Sequence, residues 1–402
     1  MRITPSLSSY IECYHNSLIH DVLYFWERYS IDHGKGGYFT CLDEVGQVFD
    51  TDKFVWLQAR QVWMFSKLYN DLERKEHWLE IARNGADFLD RFAFDKNGDC
   101  YFSLDREGVP LVSAYNIFSD CFVTMAFAQY GTATGNQYFI DRAKEQFEKI
   151  LKRKDNPKGT YNKTIVQNRP LKNFALPMIL CNVVMELKAV LSPQRVNATI
   201  TECVHEITQH FLCPETGLIY ENVLPDGKKH DSFEGRLINP GHGIEACWFL
   251  MDIAYDIGDK ALMHKVVSTS LNLVEYGWDD RYDGIFYFMD AKGHPPQQLE
   301  WDQKLWWVHL ESLIAMSKGF RYTGEERCMH WFEKIHNYSW SHFRDARGSL
   351  EWYGYLNRQG EVLLPLKGGK WKGCFHVPRA LYTISSELKK ISELEGSIAD
   401  DV

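Results

Sequence analysis

A loop motif recurs six times along the chain and restricts the folds that the chain can adopt. Each copy places a tyrosine one to five residues after a glycine. The intervals between successive motif glycines are 61, 61, 58, 67 and 64 residues. Self-similarity at a nearly constant period indicates a repeat architecture, in which one structural unit is used several times. The motif glycines are Gly37, Gly98, Gly159, Gly217, Gly284 and Gly348.

The residues between the loops predict two helices of different polarity in each unit. Short alternating segments next to the loops, such as 101–104 and 287–290, predict small β-hairpins. Apolar helices alternating with amphipathic helices predict an inner ring surrounded by an outer ring. We therefore predict an all-α fold, an (α/α)6 barrel of six helix-pair repeats with short β-hairpins in the loops at one end. Apolar helices are predicted over residues 54–72, 114–130, 175–191, 242–257 and 304–320, and more polar helices over 76–92 and 139–152.

An open helical solenoid of the same repeats is the alternative to a closed barrel. The last unit lacks the polar outer face that a solenoid needs as a cap, which favours closure. No segment resembles a linker, so residues 1–390 are predicted to form a single barrel domain. The chain after about Glu387 is rich in lysine, glutamate and aspartate, and residues 391–402 are predicted to form a polar, frayed tail.

Composition excludes several classes of partner and compartment. The formal net charge is −9 and no basic block occurs, which argues against nucleic acid and anionic membranes as partners. Residues 1–29 carry charged and polar residues that interrupt any signal-peptide core, and no apolar run approaches membrane-spanning length. The ten cysteines show no metal-binding spacing, as expected of reduced core thiols. We therefore predict a cytoplasmic protein without a metal site.

The segment 239–248 places a histidine and a carboxylate at the start of an apolar helix. Asn239 is a favourable N-cap and Pro240 suits the first helical position, so His242 is expected in the first turn. The field of the helix N-terminus is expected to keep this ring neutral, as a general base requires. Glu245, one turn further on, is expected to orient it. A capping histidine without chemistry is the alternative, and the G-x-G-x-x-A match of residues 241–246 lacks the preceding strand of a dinucleotide site.

Other polar residues interrupt apolar inner helices and are expected to face a central cavity, since an unpaired buried charge is costly. Arg60 shares a helical face with Trp56 and Trp63, so it predicts either a hydrogen-bonding group for a polyhydroxylated ligand or a cation–π contact in the core. Trp307 and Glu311, one turn apart, predict an aromatic–carboxylate pair that holds a sugar. A buried ion pair at Glu311 is the alternative.

The last unit carries a second histidine at a helix entrance. Pro378 predicts the start of the last helix, which places His376 just before it and Arg379 in its first turn. His242 and His376 are therefore expected to flank one cavity from opposite sides. The glycines and lysines of residues 367–373 do not match a Walker phosphate loop.

The segments 239–248, 304–311, 351–356 and 372–379 together closely resemble the N-acylglucosamine 2-epimerases, known in animals as renin-binding protein. The resemblance covers essentially the whole chain, and segment 372–379 is its most specific part. It implies interconversion of N-acetyl-D-glucosamine and N-acetyl-D-mannosamine in sialic acid metabolism. It also implies a homodimer that is stimulated by ATP, which is not consumed. The sequence has no motif for a metal or a nicotinamide, and we expect the chemistry to require no cofactor.

The resemblance also assigns roles to residues. The catalytic histidines of the family match His242 and His376, and its ligand-binding residues match Arg60, Glu311 and Arg379. We add Glu245 and Trp307 to the predicted substrate-binding residues because of their positions. The loop that the family links to ATP activation matches residues 161–163 and 169–174, which makes Lys163 the candidate effector residue.

Inversion at carbon 2 of an open-chain sugar requires a proton to be removed from one face and returned to the other. We hypothesise that His242 and His376 serve as the two bases. The rival hypotheses are an aldose–ketose isomerase or a cellobiose 2-epimerase on the same scaffold, and a protein-binding role. An inverting glycoside hydrolase that uses Glu245 and Glu311 is a further alternative.

Overall fold

The computed structural model describes residues 6–165, 167–348 and 350–400, with side chains as far as residue 394. Within these residues, twelve long helices follow one another with short sheets between some of them. They are α1 (residues 7–29, π-helical over Ser17–Leu23), α2 (Val55–Asp71), α3 (Glu76–Phe92), α4 (Phe118–Thr134), α5 (Gln137–Arg153), α6 (Ala175–Glu186), α7 (residues 193–211, π-helical over Glu206–Phe211), α8 (Pro240–Ile257), α9 (Lys260–Gly277), α10 (Trp306–Thr323), α11 (Glu326–His342) and α12 (His376–Asp400).

The even-numbered helices form an inner ring and the odd-numbered helices an outer ring, as predicted. Successive inner helices pack against each other from α2 to α12. Every residue of α10 from Trp306 to Gly319 is buried. The outer helix α5, in contrast, buries a stripe at helical spacing and exposes the rest, which explains its polar composition. The stripe consists of Phe139, Ala143, Gln146, Phe147 and Ile150.

The N-terminal helix closes the ring. Helix α1 packs against α12, so the outer partner of the last inner helix comes from the beginning of the chain. The inner ring closes where Trp63 of α2 meets Phe375, with ring centroids 5.2 Å apart. Gln61 of α2 also donates to the hydroxyl of Ser30, just after α1, at 2.7 Å. The barrel is therefore closed, and the open solenoid is excluded.

Short antiparallel strands lie at one end of the barrel. They form the sheets β1-β2-β3, β4-β5, β6-β7 and β8-β9. Strands β1, β4, β6 and β8 precede α2, α6, α8 and α10 by no more than one residue, so the sheets fix the N-termini of inner helices at this end. The strands are β1 (Lys53–Phe54), β2 (Ser103–Leu104), β3 (Pro110–Val112), β4 (Lys172–Asn173), β5 (Asn222–Val223), β6 (Leu237–Ile238), β7 (Met289–Asp290), β8 (Lys304–Leu305) and β9 (Tyr355–Leu356).

The repeated glycines shape the loops at the same end. All six have positive φ, between 54° and 80°, a conformation that glycine adopts at little cost. The third copy departs from the predicted hairpin, since Gly159–Tyr161 forms a 3₁₀ turn. Four of the loops close through an antiparallel bridge that spans the glycine, namely Ile31 with Tyr38, Phe94 with Cys100, Leu212 with Ile219 and Trp278 with Ile285.

Several helix ends differ from the predicted bounds. Helix α10 begins at Trp306 because Lys304–Leu305 forms strand β8. Helix α12 continues to Asp400 through much of the segment predicted as a frayed tail, and residues 401 and 402 lie outside the described residues. Just before the predicted boundary at residue 390, the buried Glu387 binds Arg321 at 2.8 Å and holds α12 against α10.

The ten cysteines are free thiols and nine of them are buried, as the sequence predicted. Among the described residues, no helix is both long and apolar enough to cross a membrane.

Candidate active site

A cavity of about 580 Å³ opens at the end of the barrel where the inner helices begin. Its wall combines aromatic rings with two histidines, two arginines and two glutamates. Concave sites with a few convergent polar groups are typical of small-molecule binding. The lining residues with polar or aromatic side chains include Trp56, Arg60, Phe102, Asn116, Phe118, Phe122, His242, Glu245, Tyr287, Glu300, Gln303, Trp306, Trp307, Tyr355, Trp371, Phe375, His376 and Arg379.

His242 lies in the first turn of α8, as predicted. The side chain of Asn239 caps the helix by accepting a hydrogen bond from the backbone N–H of His242 at 3.1 Å. The carboxylate that orients the ring is Glu221, whose Oε1 lies 3.1 Å from Nδ1. The prediction that Glu245 orients His242 is therefore wrong, because the Glu245 carboxylate binds Arg379 instead.

The local electrostatics favour the protonated form of His242. Burial acts to lower the pKa of this ring, but the neighbouring Glu221 carboxylate outweighs it, and the pKa is raised above 6.5. The prediction that the helix N-terminus keeps the ring neutral is therefore wrong. An ion-pair partner 3.1 Å away acts more strongly than the partial charges of the helix end.

His376 is the first residue of α12 and has the opposite electrostatic surroundings. Its Nδ1 lies 2.7 Å from Oε1 of Glu311. Burial, followed by the guanidinium groups of Arg60 and Arg379, lowers the pKa of His376 well below 6.5. The ring is therefore neutral near pH 7. With Nδ1–H donating to Glu311, its Nε2 is free to accept a proton.

Trp307 stands between the two histidines, as the second residue of α10. Its ring centroid is 5.2 Å from that of His242 and 5.9 Å from that of His376, with interplanar angles of 33° and 36°. The structure therefore brings both predicted histidines and this tryptophan together at one cavity.

Arg379 links the two predicted glutamates. Its NH2 group donates to Oε1 of Glu245 and to Oε1 of Glu311, both at 2.6 Å. Glu311 is fully buried, does not line the cavity, and also accepts from Trp248 Nε1 at 2.9 Å. The structure therefore places Glu311 behind the wall, as a support for His376 and Arg379, whereas direct substrate contact was expected of it.

Glu245, Glu311 and His376 have ligand atoms within 4.8 Å of one another, a spacing that suits a metal ion. The Arg379 guanidinium already donates to both carboxylates and supplies the positive charge at this point. The same spacing argues against an inverting glycoside hydrolase, whose two carboxyl groups stand roughly 6.5–9.5 Å apart.

Arg60 both packs on aromatic rings and faces the cavity, so it combines the two predicted possibilities, a cation–π contact and a ligand-binding group. Its guanidinium packs on the rings of Phe122 at 4.0 Å, Trp56 at 4.3 Å and Phe375 at 4.5 Å. It also lines the cavity, and its Nε has no hydrogen-bond partner among the described residues. Burial, reinforced by Arg379, lowers the pKa of Arg60 to about 9, so it remains charged at neutral pH. Trp63, expected beside it, instead donates to Glu186 at 2.8 Å.

A family model described as N-acylglucosamine 2-epimerase (GlcNAc 2-epimerase) matches residues 37–380. The chain belongs to the N-acylglucosamine 2-epimerase family. The N-acylglucosamine 2-epimerase of Mus musculus is 40% identical over 370 residues, which cover 90% of this chain and 87% of that protein. The Homo sapiens protein is 38% identical over 90% of this chain and 86% of its own length.

Solved structures support the fold of this family member. Cellobiose 2-epimerase from Bacillus thermoamylovorans matches with a TM-score of 0.82 over 94% of this chain and 99% of that chain, at 20% identity. A D-mannose isomerase matches with a TM-score of 0.79 over 96% of this chain and 100% of that chain, at 18% identity. At these identities the likeness concerns the barrel alone.

The candidate ATP residue of this epimerase family member lies apart from the cavity. Lys163 is exposed, shortly after the 3₁₀ turn Gly159–Tyr161, and is not among the lining residues. Several cavity residues could not be predicted from the sequence, including Glu300, Gln303 and Trp371, because they lie in loops without helical periodicity. The loop motif did mark the cavity residue Tyr287, which is the tyrosine of its fifth copy. It also marked Glu221, the partner of His242, which directly follows the tyrosine of the fourth copy.

Proposed function

We propose that this protein is an N-acylglucosamine 2-epimerase that interconverts N-acetyl-D-glucosamine and N-acetyl-D-mannosamine by proton transfer at carbon 2. The observation that carries the proposal is the pair of histidines that flank Trp307 at one cavity, each with a carboxylate on its Nδ1 atom. Their surroundings raise the pKa of His242 and lower that of His376. Titratable pairs with diverging pKa values are typical of acid and base partners. The names of relatives at 38–40% identity over 90% of the chain support the substrate.

In the proposed reaction, the open-chain aldehyde makes the proton on carbon 2 acidic. His376 removes this proton, and the electron pair of the C–H bond moves into the carbonyl group to form an enolate. His242 then returns a proton to the opposite face of carbon 2, which inverts the centre as the carbonyl group forms again. The reverse reaction exchanges the two roles.

The enolate oxygen needs positive charge or hydrogen-bond donors, and two buried arginines of the cavity wall are suited to supply them. The Nε groups of Arg60 and Arg379 have no partner among the described residues, and nor does the indole N–H of Trp306. A buried donor without a partner costs roughly 1–3 kcal/mol, which an oxygen-rich ligand would recover. Each donor to a developing oxyanion contributes roughly 3 kcal/mol to catalysis.

A substrate panel separates this function from its rivals. The purified protein is incubated with N-acetyl-D-mannosamine, N-acetyl-D-glucosamine, D-mannose and cellobiose, and the products are separated by chromatography. The proposal predicts that the two N-acetyl sugars convert into each other and that the other two react at least a hundredfold more slowly. Preference for D-mannose or cellobiose would assign the protein to the isomerase or cellobiose epimerase activities instead.

The family resemblance adds further features to this proposal. They are activation by ATP involving Lys163, a homodimeric assembly and a place in sialic acid metabolism, to which the composition adds a cytoplasmic location. No step of the proposed chemistry requires a cofactor, because the two histidines and two arginines supply the proton transfers and the charge. Addition of ATP to the substrate panel tests the activator directly.

A further inference from the structure

Each cavity histidine has a carboxylate next to its Nδ1 atom, but only one of the two carboxylates also binds an arginine. Glu311 Oε1, 2.7 Å from His376, also accepts from Arg379 at 2.6 Å. The charge of Glu311 is therefore shared with a guanidinium. The Glu221 carboxylate, in contrast, forms no ion pair with any described side chain except His242.

The backbone of Glu221 is held firmly at the cavity end of the barrel. Its N–H donates to the carbonyl of Leu237 at 3.0 Å, and its carbonyl accepts from the N–H of Phe174 at 2.9 Å. These contacts tie the residue between the segments that precede helices α6 and α8. Glu221 is 6% exposed, so water screens its interaction with His242 only weakly.

We propose that Glu221 is a positioning residue that holds His242 in its protonated form, and thereby makes His242 the acid and His376 the base of the resting enzyme. This inference rests on the proposed epimerase function. For the epimer whose carbon-2 proton faces His376, that proton passes to His376 and the His242 proton passes to carbon 2. The resting state then returns when His376 releases its proton to water and His242 takes one up.

The other charged and titratable groups of this cavity do not replace Glu221. Glu245, on the same helix as His242, also acts to raise the pKa of that ring, but less than Glu221 does. Its carboxylate is engaged by Arg379 at 2.6 Å. The remaining groups stand on other elements that meet at the cavity, and the cationic ones oppose protonation of a histidine. They are Tyr287 and Glu300 from the loop before α10, Tyr355 on β9, Arg60 on α2, and His376 and Arg379 on α12.

The pH dependence of kcat/KM tests the inference. In the wild type, the alkaline limb reports loss of the His242 proton, so we expect its pKa above 6.5. Glu221→Gln keeps the size of the side chain but removes its charge, and is expected to move that limb down by about one to three units. Activity should therefore fall at least tenfold at pH 8 and less at pH 6. Glu221→Asp keeps the charge, so the pKa of its alkaline limb should return most of the way to the wild-type value.

A matched control distinguishes this role from a structural one. Glu186 is a partly buried carboxylate at the far end of the barrel that accepts from Trp63 and Gln129 at 2.8 and 2.7 Å. Glu186→Gln should leave the alkaline limb unchanged. If the wild type interconverts the two sugars but the alkaline limb of Glu221→Gln is not shifted, the positioning role alone is overturned. A wild type that neither interconverts them nor exchanges hydrogen at carbon 2 would overturn the epimerase function and this inference together.

A measurement without substrate completes the test. The imidazole signals of full-length protein labelled with ¹⁵N-histidine are followed by NMR against pH, and His242 is assigned from its loss in His242→Gln. The wild-type ring should titrate above pH 6.5, and the ring of Glu221→Gln at least one unit lower. Equal pKa values in the two proteins would overturn the inference whether or not the variant is active.

Discussion

At the scale of single residues, the buried contacts of Glu311 show how a group outside the cavity can determine what happens inside it. Its carboxylate accepts from Arg379, from Trp248 and from the His376 ring. A carboxylate with three donors satisfies most of its acceptor capacity, so burying it is tolerable. Glu311 thereby fixes both the base and the arginine of the proposed reaction without touching the substrate.

Glu311→Gln tests this role. The amide cannot balance Arg379, and breaking a buried ion pair costs roughly 3–5 kcal/mol of unfolding free energy. Displacement of His376 should lower kcat by about a hundredfold. Chemical denaturation and steady-state kinetics measure the two effects.

The control for Glu311→Gln is another buried carboxylate of the inner ring. Glu387 binds Arg321 at 2.8 Å and Lys390 at 2.9 Å, away from the cavity. Glu387→Gln should therefore lose stability and retain kcat. A Glu311→Gln enzyme that keeps wild-type kcat would contradict the supporting role of Glu311.

At the scale of elements, the close approach of α8 and α10 positions Trp307 between the histidines. A Cβ atom added to Gly241, in the first turn of α8, would lie 2.7 Å from the Trp307 ring and 2.8 Å from the Val308 side chain. These separations are shorter than van der Waals contact. A glycine is therefore required at this position to let the two helices meet.

Gly241→Ala should push Trp307 from its place and lower kcat/KM by about a hundredfold, because misplacements near 1 Å can have that effect. Gly243→Ala is a suitable comparison in the same turn. Its Cβ would meet Leu273 of the outer helix α9 at 2.7 Å, away from the cavity. We expect it to reduce stability and to retain kcat/KM. Equal catalytic losses in the two variants would contradict the specific role of the α8–α10 contact.

Sequence patterns predicted the helices well and their ends less well, for a physical reason. Helical periodicity reports which face is buried, so the inner and outer rings followed from the alternation of apolar and amphipathic helices. It does not report where a strand replaces the first turn, as Lys304–Leu305 does before α10. Nor does it report contacts between loops of different units, and so Glu221 was not identified as the partner of His242.

At the scale of the whole molecule, three buried lysine–aspartate pairs connect the loops that follow outer helices to the segments that precede inner helices. Asp32 binds Lys53, Asp279 binds Lys304 and Asp345 binds Lys367, at 3.0, 3.2 and 2.6 Å. Each aspartate lies shortly after an outer helix and also binds an arginine. The recurrence of aspartate after outer helices was visible in the sequence. The pairing of these aspartates with lysines was not visible, because it depends on how each loop folds back.

These pairs predict an acid-sensitive contribution to stability. Burial acts to raise the pKa of Asp279, but hydrogen bonds from Arg358 and the charge of Lys304 outweigh it and lower the pKa to about 2. The stabilisation is therefore present above the ordinary pKa of 3.8 and is lost as the pH falls from about 4 towards 2. Asp279→Asn should lose roughly 2 kcal/mol of unfolding free energy at pH 7 and show a shallower decline below pH 4.

An exposed aspartate provides the comparison for urea denaturation at pH 7 and pH 3. Asp231 also has its pKa lowered to about 2, by Lys292 and Arg236, but its side chain is 64% exposed. Solvent and salt screen such pairs, so Asp231→Asn should change stability little at either pH. A larger loss in Asp231→Asn than in Asp279→Asn would contradict the importance of the buried pairs.

The sequence patterns also did not predict that α1 closes the barrel. The outer partner of α12 lies more than 300 residues earlier in the chain, and no periodicity links the two. Because outer and inner helices alternate, the loops that precede the inner helices lie at one end of the barrel. His242 and His376, 134 residues apart in the sequence, therefore share one cavity.

Hydrogen exchange at carbon 2 tests the central claim most directly. Wild type, His242→Asn and His376→Asn are incubated in deuterium oxide with each N-acetyl sugar in turn, and the carbon-2 proton is followed by NMR. The wild type should produce the second epimer with deuterium at carbon 2. Each variant should lose interconversion and exchange only the epimer whose proton faces its remaining histidine, a different one in each variant. Product that retains its original proton, or a single variant that still interconverts the sugars at the wild-type rate, would contradict the two-histidine mechanism.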